Sequence, residues 1–130
     1  MSYYFNKFLP GKSFDEAIEL VSGELKKEGF AVITEIDVSK ILKDKINVDF
    51  KKYKILGACN PHFAHQALLK EDKIGLLLPC NIIVEEHDNG EVEVAAIDPV
   101  SSMSSVQNEE MKGFDKDIQQ KIKKIINNLA

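Results

Sequence analysis

The sequence predicts an α+β fold: a mostly antiparallel sheet of about five strands with helices packed on one face. Three observations carry this. "CNIIVEEH", "DNG" and "EVEVAAID" (80–98) read as a β-hairpin around Asn89-Gly90. Two stretches, 13–28 and 111–129, carry apolar residues at helical spacing. The remaining segments alternate strand and helix, in the order β-α-β-(α)-β-α-β-β-α.

Each element has a local reason. "YYFNKFL" (3–9) is aromatic and alternating, a strand ended by Pro10-Gly11. Ser13-Phe14-Asp15-Glu16 is a capping box, in which Ser13 accepts from the third amide and Glu16 reaches back. Phe14, Ala17, Ile18, Val21 and Leu25 follow, and Gly29 stands where a helix end favours a left-handed residue. "FAVITEID" (30–37) is a β-branched strand. The stretch 38–48 is ambiguous, with a short helix capped by Asp37 as one option. "YKILGAC" (53–59) is a strand. Asn60-Pro61 then supplies an N-cap and a first-turn proline for a helix over 61–71. The secondary structure of 76–78 is open.

Read as a two-residue loop, Asn89-Gly90 pairs Asp88 with Glu91, and so Asn81 with Asp98 and Glu86 with Glu93. Ile82, Val84, Ala95 and Ile97 then share one face, and Ile83, Val94 and Ala96 the other. Both faces are apolar away from the turn, so both need cover. The first and last helices are expected on one face, and a homodimer contact on the other. The serine-rich 98–110 reads as a loop. Met111, Phe114, Ile118, Ile122, Ile125 and Leu129 form the stripe of the last helix, whose lysines cluster near its C-terminus.

Length and composition restrict the function. A chain of 130 residues predicts one domain, 1–130. No apolar run approaches the ~18 residues of a membrane span. No signal peptide is apparent, so a cytoplasmic location is expected. The net charge is −4 and all 17 basic residues are lysine. Acidity and the lack of arginine oppose nucleic-acid binding, and the lysines of 40–54 read as a solvated surface. There is no phosphate loop, dinucleotide fingerprint or serine-nucleophile motif, and no cofactor is implied.

Both cysteines are followed by asparagine: Cys59-Asn60 and Cys80-Asn81. Three readings stand side by side. In the first, the cysteines are core residues and the asparagines cap turns. In the second, Cys59, Asn60, Cys80, Asn81 and Asp98 converge at one end of the sheet, with His62 at the rim. They would bind a small ligand or perform thiol chemistry, Cys59 being next to a helix N-terminus. In the third, Cys59, His62 and Cys80, with His65 as a substitute, hold zinc or copper. His87, beside the turn, reads as exposed. Glu85, Glu86, Glu91 and Glu93 read as solvated charges.

The stretch "LGACNPHFAHQALLKEDKIGLLLPCNIIV", followed by "IDPVSSM", resembles the bacterial and archaeal family of domain of unknown function 302. The match rests on Gly57-Ala58-Cys59-Asn60-Pro61, Gly75 to Asn81, and Asp98-Pro99. The resemblance implies a β-α-β4-α fold similar to that of the TATA-box-binding protein, with two short inserted helices here. It brings no reaction or cofactor, and fold likeness to a DNA-binding protein is no argument for DNA binding.

Overall fold

A computed structural model describes residues 2–130. The elements are β1 (Tyr4–Phe8), α1 (Phe14–Lys27), β2 (Ala31–Asp37), α2 (Val38–Ile46), β3 (Tyr53–Cys59), α3 (Pro61–Lys70), β4 (Cys80–Glu86), β5 (Val92–Ile97), α4 (Pro99–Ser102) and α5 (Phe114–Asn127). Short 3₁₀ segments cover Asp72–Leu77 and Glu109–Met111. The strands form one antiparallel sheet in the order β1-β5-β4-β3-β2.

The helix signals act as the sequence suggests. Ser13 Oγ accepts from the Glu16 amide at 3.1 Å, and the Glu16 carboxylate accepts from the Ser13 amide at 3.0 Å. This satisfies amides that the first turn leaves without partners. The ambiguous stretch after Asp37 is a helix, α2, with the Asp37 carboxylate accepting from the Lys40 amide. The last helix starts later than its apolar stripe does. The chain turns left-handed at Gly113 (φ 84°), so Met111 lies in the 3₁₀ turn before it and α5 begins at Phe114.

One core joins the layers. Phe14, Ala17, Val21 and Leu25 of α1 and Phe114, Ile118, Ile122, Ile125 and Ile126 of α5 lie against Leu56, Ala58, Ile82, Val84, Val92, Val94 and Ala96 of the sheet. Each fully buried Leu, Ile or Val contributes about 1.5–3 kcal/mol. Lys7 ties the α5 C-terminus to β1 by donating to the Asn127 carbonyl at 3.1 Å, where the helix dipole favours a cation.

The hairpin departs from the expected register by one residue. Ile82 faces Ala96, Val84 faces Val94, and Glu85 faces Glu93. The loop has three residues, not two. The His87 amide donates to the Glu91 carbonyl at 2.8 Å, and the Gly90 amide donates to the His87 carbonyl at 2.8 Å. Gly90 supplies the left-handed residue that such a loop needs (φ 87°). A shift of one residue turns β5 over relative to β4. The core side therefore carries Ile82, Val84, Val92, Val94 and Ala96. The other side carries Ile83, Ala95 and Ile97 together with Glu85 and Glu93. Asn81 is not paired with Asp98.

Gly57, in the middle of β3, marks a close approach. A Cβ there would collide with Thr34 Oγ1 and lie 2.8 Å from Pro79 Cγ. Thr34 is exposed and can rotate, whereas the proline ring is fixed by its backbone. Gly57→Ala is expected to destabilise the protein by about 1–3 kcal/mol, the usual cost of overpacking. Urea unfolding checks this. Gly23→Ala, where a Cβ meets open space, is the control and leaves stability equal or higher.

Candidate functional site

Of the two Cys-Asn pairs, Cys59, Asn60 and Cys80 share one small cavity and Asn81 faces the other side of the sheet. Asn60 caps α3: its Oδ1 accepts from the Phe63 amide at 3.4 Å. Its Nδ2 donates to the Glu28 carbonyl at 3.3 Å, so one side chain joins the end of α1 to the start of α3. Cys59 ends β3 half-buried, and Cys80 opens β4 buried. Cys59, Asn60 and Cys80 line one cavity with Phe30, Phe63 and Ile118. That cavity has a volume of about 20 Å³, room for about one water molecule. Burial, and secondarily Cys59, pushes the Cys80 thiol up to about 11. A protonated thiol is neither a good nucleophile nor a metal ligand.

The other expected site residues lie elsewhere. His62 is exposed on the first turn of α3 and does not line the cavity. Asp98 accepts from the Val100 amide and from Gln119 Nε2, both at 3.0 Å, and so caps α4 and ties it to α5. Asn81 is exposed on the opposite side of the sheet. The set Cys59, His62 and Cys80 is not gathered for a metal. Cys59 and Cys80 line the same small cavity, but His62 does not.

The sheet face away from α1 and α5 holds a different arrangement. A groove of about 380 Å³ is lined by Tyr3, Tyr4, Tyr53, Asn81, Ile83, Glu85, Glu93, Ala95 and Ile97. All three tyrosines of the chain line it. At one end Glu85 and Glu93 stand opposite each other on β4 and β5, with side chains only 12% and 11% exposed. His87 lies two residues beyond Glu85 and is half-buried rather than exposed. Its Nε2 is 2.8 Å from Glu93 Oε1 and 3.9 Å from Glu85 Oε1.

Neighbours fix both carboxylates. Asn6 Nδ2 donates to Glu93 Oε2 at 2.7 Å, and Lys51 Nζ donates to Glu85 Oε1 at 2.6 Å. The Glu85 bond raises the affinity of Lys51 for its proton. Burial first, and then the Glu85 carboxylate, pushes the Tyr53 hydroxyl above its usual range, so it stays protonated. Phe8 packs beside His87, with ring centres 5.7 Å apart. A larger cleft of about 580 Å³, near Met103, Asn108 and Lys116, opens at the 3₁₀ turn before α5. Most of its charged side chains are exposed, and it gathers no comparable set of converging groups. Among the described residues, Glu85, His87 and Glu93 alone form a group of three possible metal ligands with donor atoms within 4.8 Å of one another.

The sequence did carry a signal for this group. Glu85 and His87 have strand spacing, and Glu93 is three residues beyond Gly90. Only the correct loop length brings Glu93 opposite Glu85.

The chain belongs to the family described as domain of unknown function DUF302, whose match spans residues 6–129. It is similar to the crystal structure of an uncharacterized conserved DUF302 protein from Bacillus stearothermophilus. The identity is 24%, the TM-score is 0.90, and the whole of each chain is covered. That likeness shows the fold. No curated protein matches the sequence. Among the described residues, no helix is long and apolar enough to cross a membrane.

Cys80 provides a pH test. Its folded value lies above its ordinary value of 9.0. Between pH 9 and 11 the unfolded chain loses a thiol proton that the native protein keeps. This contribution to stability is complete below pH 9 and falls as pH rises, by at most about 1.4 kcal/mol per unit. Stability of the wild type is expected to fall more steeply over this window than that of Cys80→Ala, in denaturant titrations at each pH. Equal slopes would show that the thiol is not buried as described.

Proposed function

We propose that this protein is a binding module whose small ligand lies in the groove on the uncovered sheet face. The ligand class is an organic cation with an apolar or aromatic body. The observation that carries this reading is the pair of largely buried carboxylates, Glu85 and Glu93, at the end of a groove walled by tyrosine and aliphatic side chains. Like charges on opposing strand positions are unfavourable, and burial weakens their screening by solvent. Lys51 offsets one of the two charges, and a ligand's ammonium group would offset the other. Its apolar body would cover Ile83, Ala95 and Ile97, and the tyrosine faces would add cation–π attraction. The alternative of a thiol enzyme or a sulfur- or metal-handling protein using Cys59 and Cys80 has less support, because the cavity there admits only about one water and Cys80 holds its proton.

Assembly is a second reading. Tyr4, Phe8 and Ile36 on the same sheet face are 40%, 44% and 42% exposed, and a homodimer would cover them at a gain of about 25 cal/mol per Å². A face-to-face pair would also bury Glu85, Glu93 and Lys51 of both copies in a dry interface, where the desolvation of charged groups is costly even when they are paired. That cost favours the ligand reading.

The test is amide NMR with phenethylammonium and, as a matched anion, phenylacetate. Phenethylammonium is expected to shift the signals of Tyr53, Ile83, Glu85 and Ala95, and phenylacetate is not. Glu85→Gln should weaken binding about fivefold or more, the equivalent of about 1 kcal/mol. Equal shifts from both compounds, or shifts confined to α3 and α5, would contradict the reading. Sedimentation equilibrium separates the alternatives: a dimer dissociated by Ile36→Lys, with no response to phenethylammonium, supports assembly.

A further inference from the structure

We infer that Glu85, His87 and Glu93 form a site for a divalent first-row transition metal, with its free coordination positions directed at the groove. The inference rests on the groove reading for its location, and the ion would compete with an organic ammonium for the same two carboxylates. Two carboxylates and one imidazole are a donor set suited to zinc, cobalt, nickel or manganese. Three protein ligands leave a position for water or for a donor atom of a bound molecule.

The geometry is close to what such an ion requires. Ligand atoms held tetrahedrally about 2.0–2.2 Å from zinc stand about 3.4 Å apart. His87 Nε2 is 2.8 Å from Glu93 Oε1 and 3.9 Å from Glu85 Oε1. These two values bracket the required separation, and all three donor atoms lie within 4.8 Å of one another, so side-chain rotations could close them around an ion. The ion would replace the direct His87–Glu93 hydrogen bond, with Nε2 as the donor atom to the metal and the ring proton on Nδ1.

The scaffold suits the task as well. Glu85 and Glu93 are direct cross-strand partners, and Glu85 and His87 share a face at i and i+2. Ligands on paired strands are held more firmly than ligands on loops. Asn6 occupies Glu93 Oε2 and leaves Oε1 turned towards His87. Lys51 donates to Glu85 Oε1, so the ion would displace that ammonium or take Glu85 Oε2, and Phe8 packs beside the imidazole. Such outer contacts orient ligands and tune affinity.

The probe is Co²⁺ alone, titrated by absorbance into protein freed of metal by a chelator. One equivalent is expected to give visible d–d bands of an oxygen- and nitrogen-ligated ion, without a thiolate-to-cobalt charge-transfer band, and Zn²⁺ should displace it. His87→Gln and Glu93→Gln are each expected to weaken binding at least tenfold. Should Glu93→Gln fail to fold, His87→Gln at a half-buried position still decides. No saturable binding, a charge-transfer band from Cys59 or Cys80, or undiminished binding by His87→Gln would overturn the proposal. Phenethylammonium shifts without Co²⁺ binding would end the metal site and leave the groove reading intact. Co²⁺ binding without those shifts would do the reverse.

Discussion

The structure depends on the three-residue turn at Asp88, Asn89 and Gly90. It closes with the hydrogen bond from the His87 amide to the Glu91 carbonyl, and so fixes β5 against β4. With that register, Val92, Val94 and Ala96 point at α1 and α5 and join Ile82 and Val84 in the core. The same register sends Glu93 to the other face, opposite Glu85. A turn shorter by one residue would direct Glu93 at the core and expose Val94. The core thus enforces the register, and the register creates the carboxylate pair.

Much of the fold is written locally. The capping box at Ser13 and Glu16 marks the start of α1, and Asn60-Pro61 marks the start of α3. Those signals are legible because cap and helix are adjacent in the chain. The hairpin register is less legible, because Asn89-Gly90 serves a two-residue loop and part of a three-residue one equally well. Alternating Val92, Val94 and Ala96 against Ile82 and Val84 would have favoured the longer loop, had core volume been weighed above the turn. The early start expected for α5 had a similar cause: Met111 continues the apolar stripe, but the left-handed turn at Gly113 interrupts the helix.

The site was less legible than the fold for a related reason. Charged residues near a turn are usually solvated, and that expectation hid Glu85, His87 and Glu93. Their burial arises from partners far away in sequence: Asn6 on β1, Lys51 just before β3, and Tyr53 at its start. The cysteine motifs are placed by several constraints at once. Two similar dipeptides predict one shared site, and Cys59, Asn60 and Cys80 do line one small cavity, while Asn60 also links α1 to α3 and Asn81 faces the groove. Similar residues at similar strand ends were placed by different constraints, and neither dipeptide builds a pocket larger than about one water.

The central claim is that Glu85 and Glu93 confront each other on the uncovered face and that a bound cation relieves their repulsion. A double-mutant cycle of Glu85→Gln and Glu93→Gln, read as unfolding free energy in the presence of a chelator, measures that confrontation directly. The account predicts a repulsive coupling of about 0.2–1 kcal/mol between the two carboxylates, which disappears or changes sign when Co²⁺ replaces the chelator. Coupling that is zero or attractive in the chelator would mean that the two carboxylates do not oppose each other as described, and the account of the site would fail.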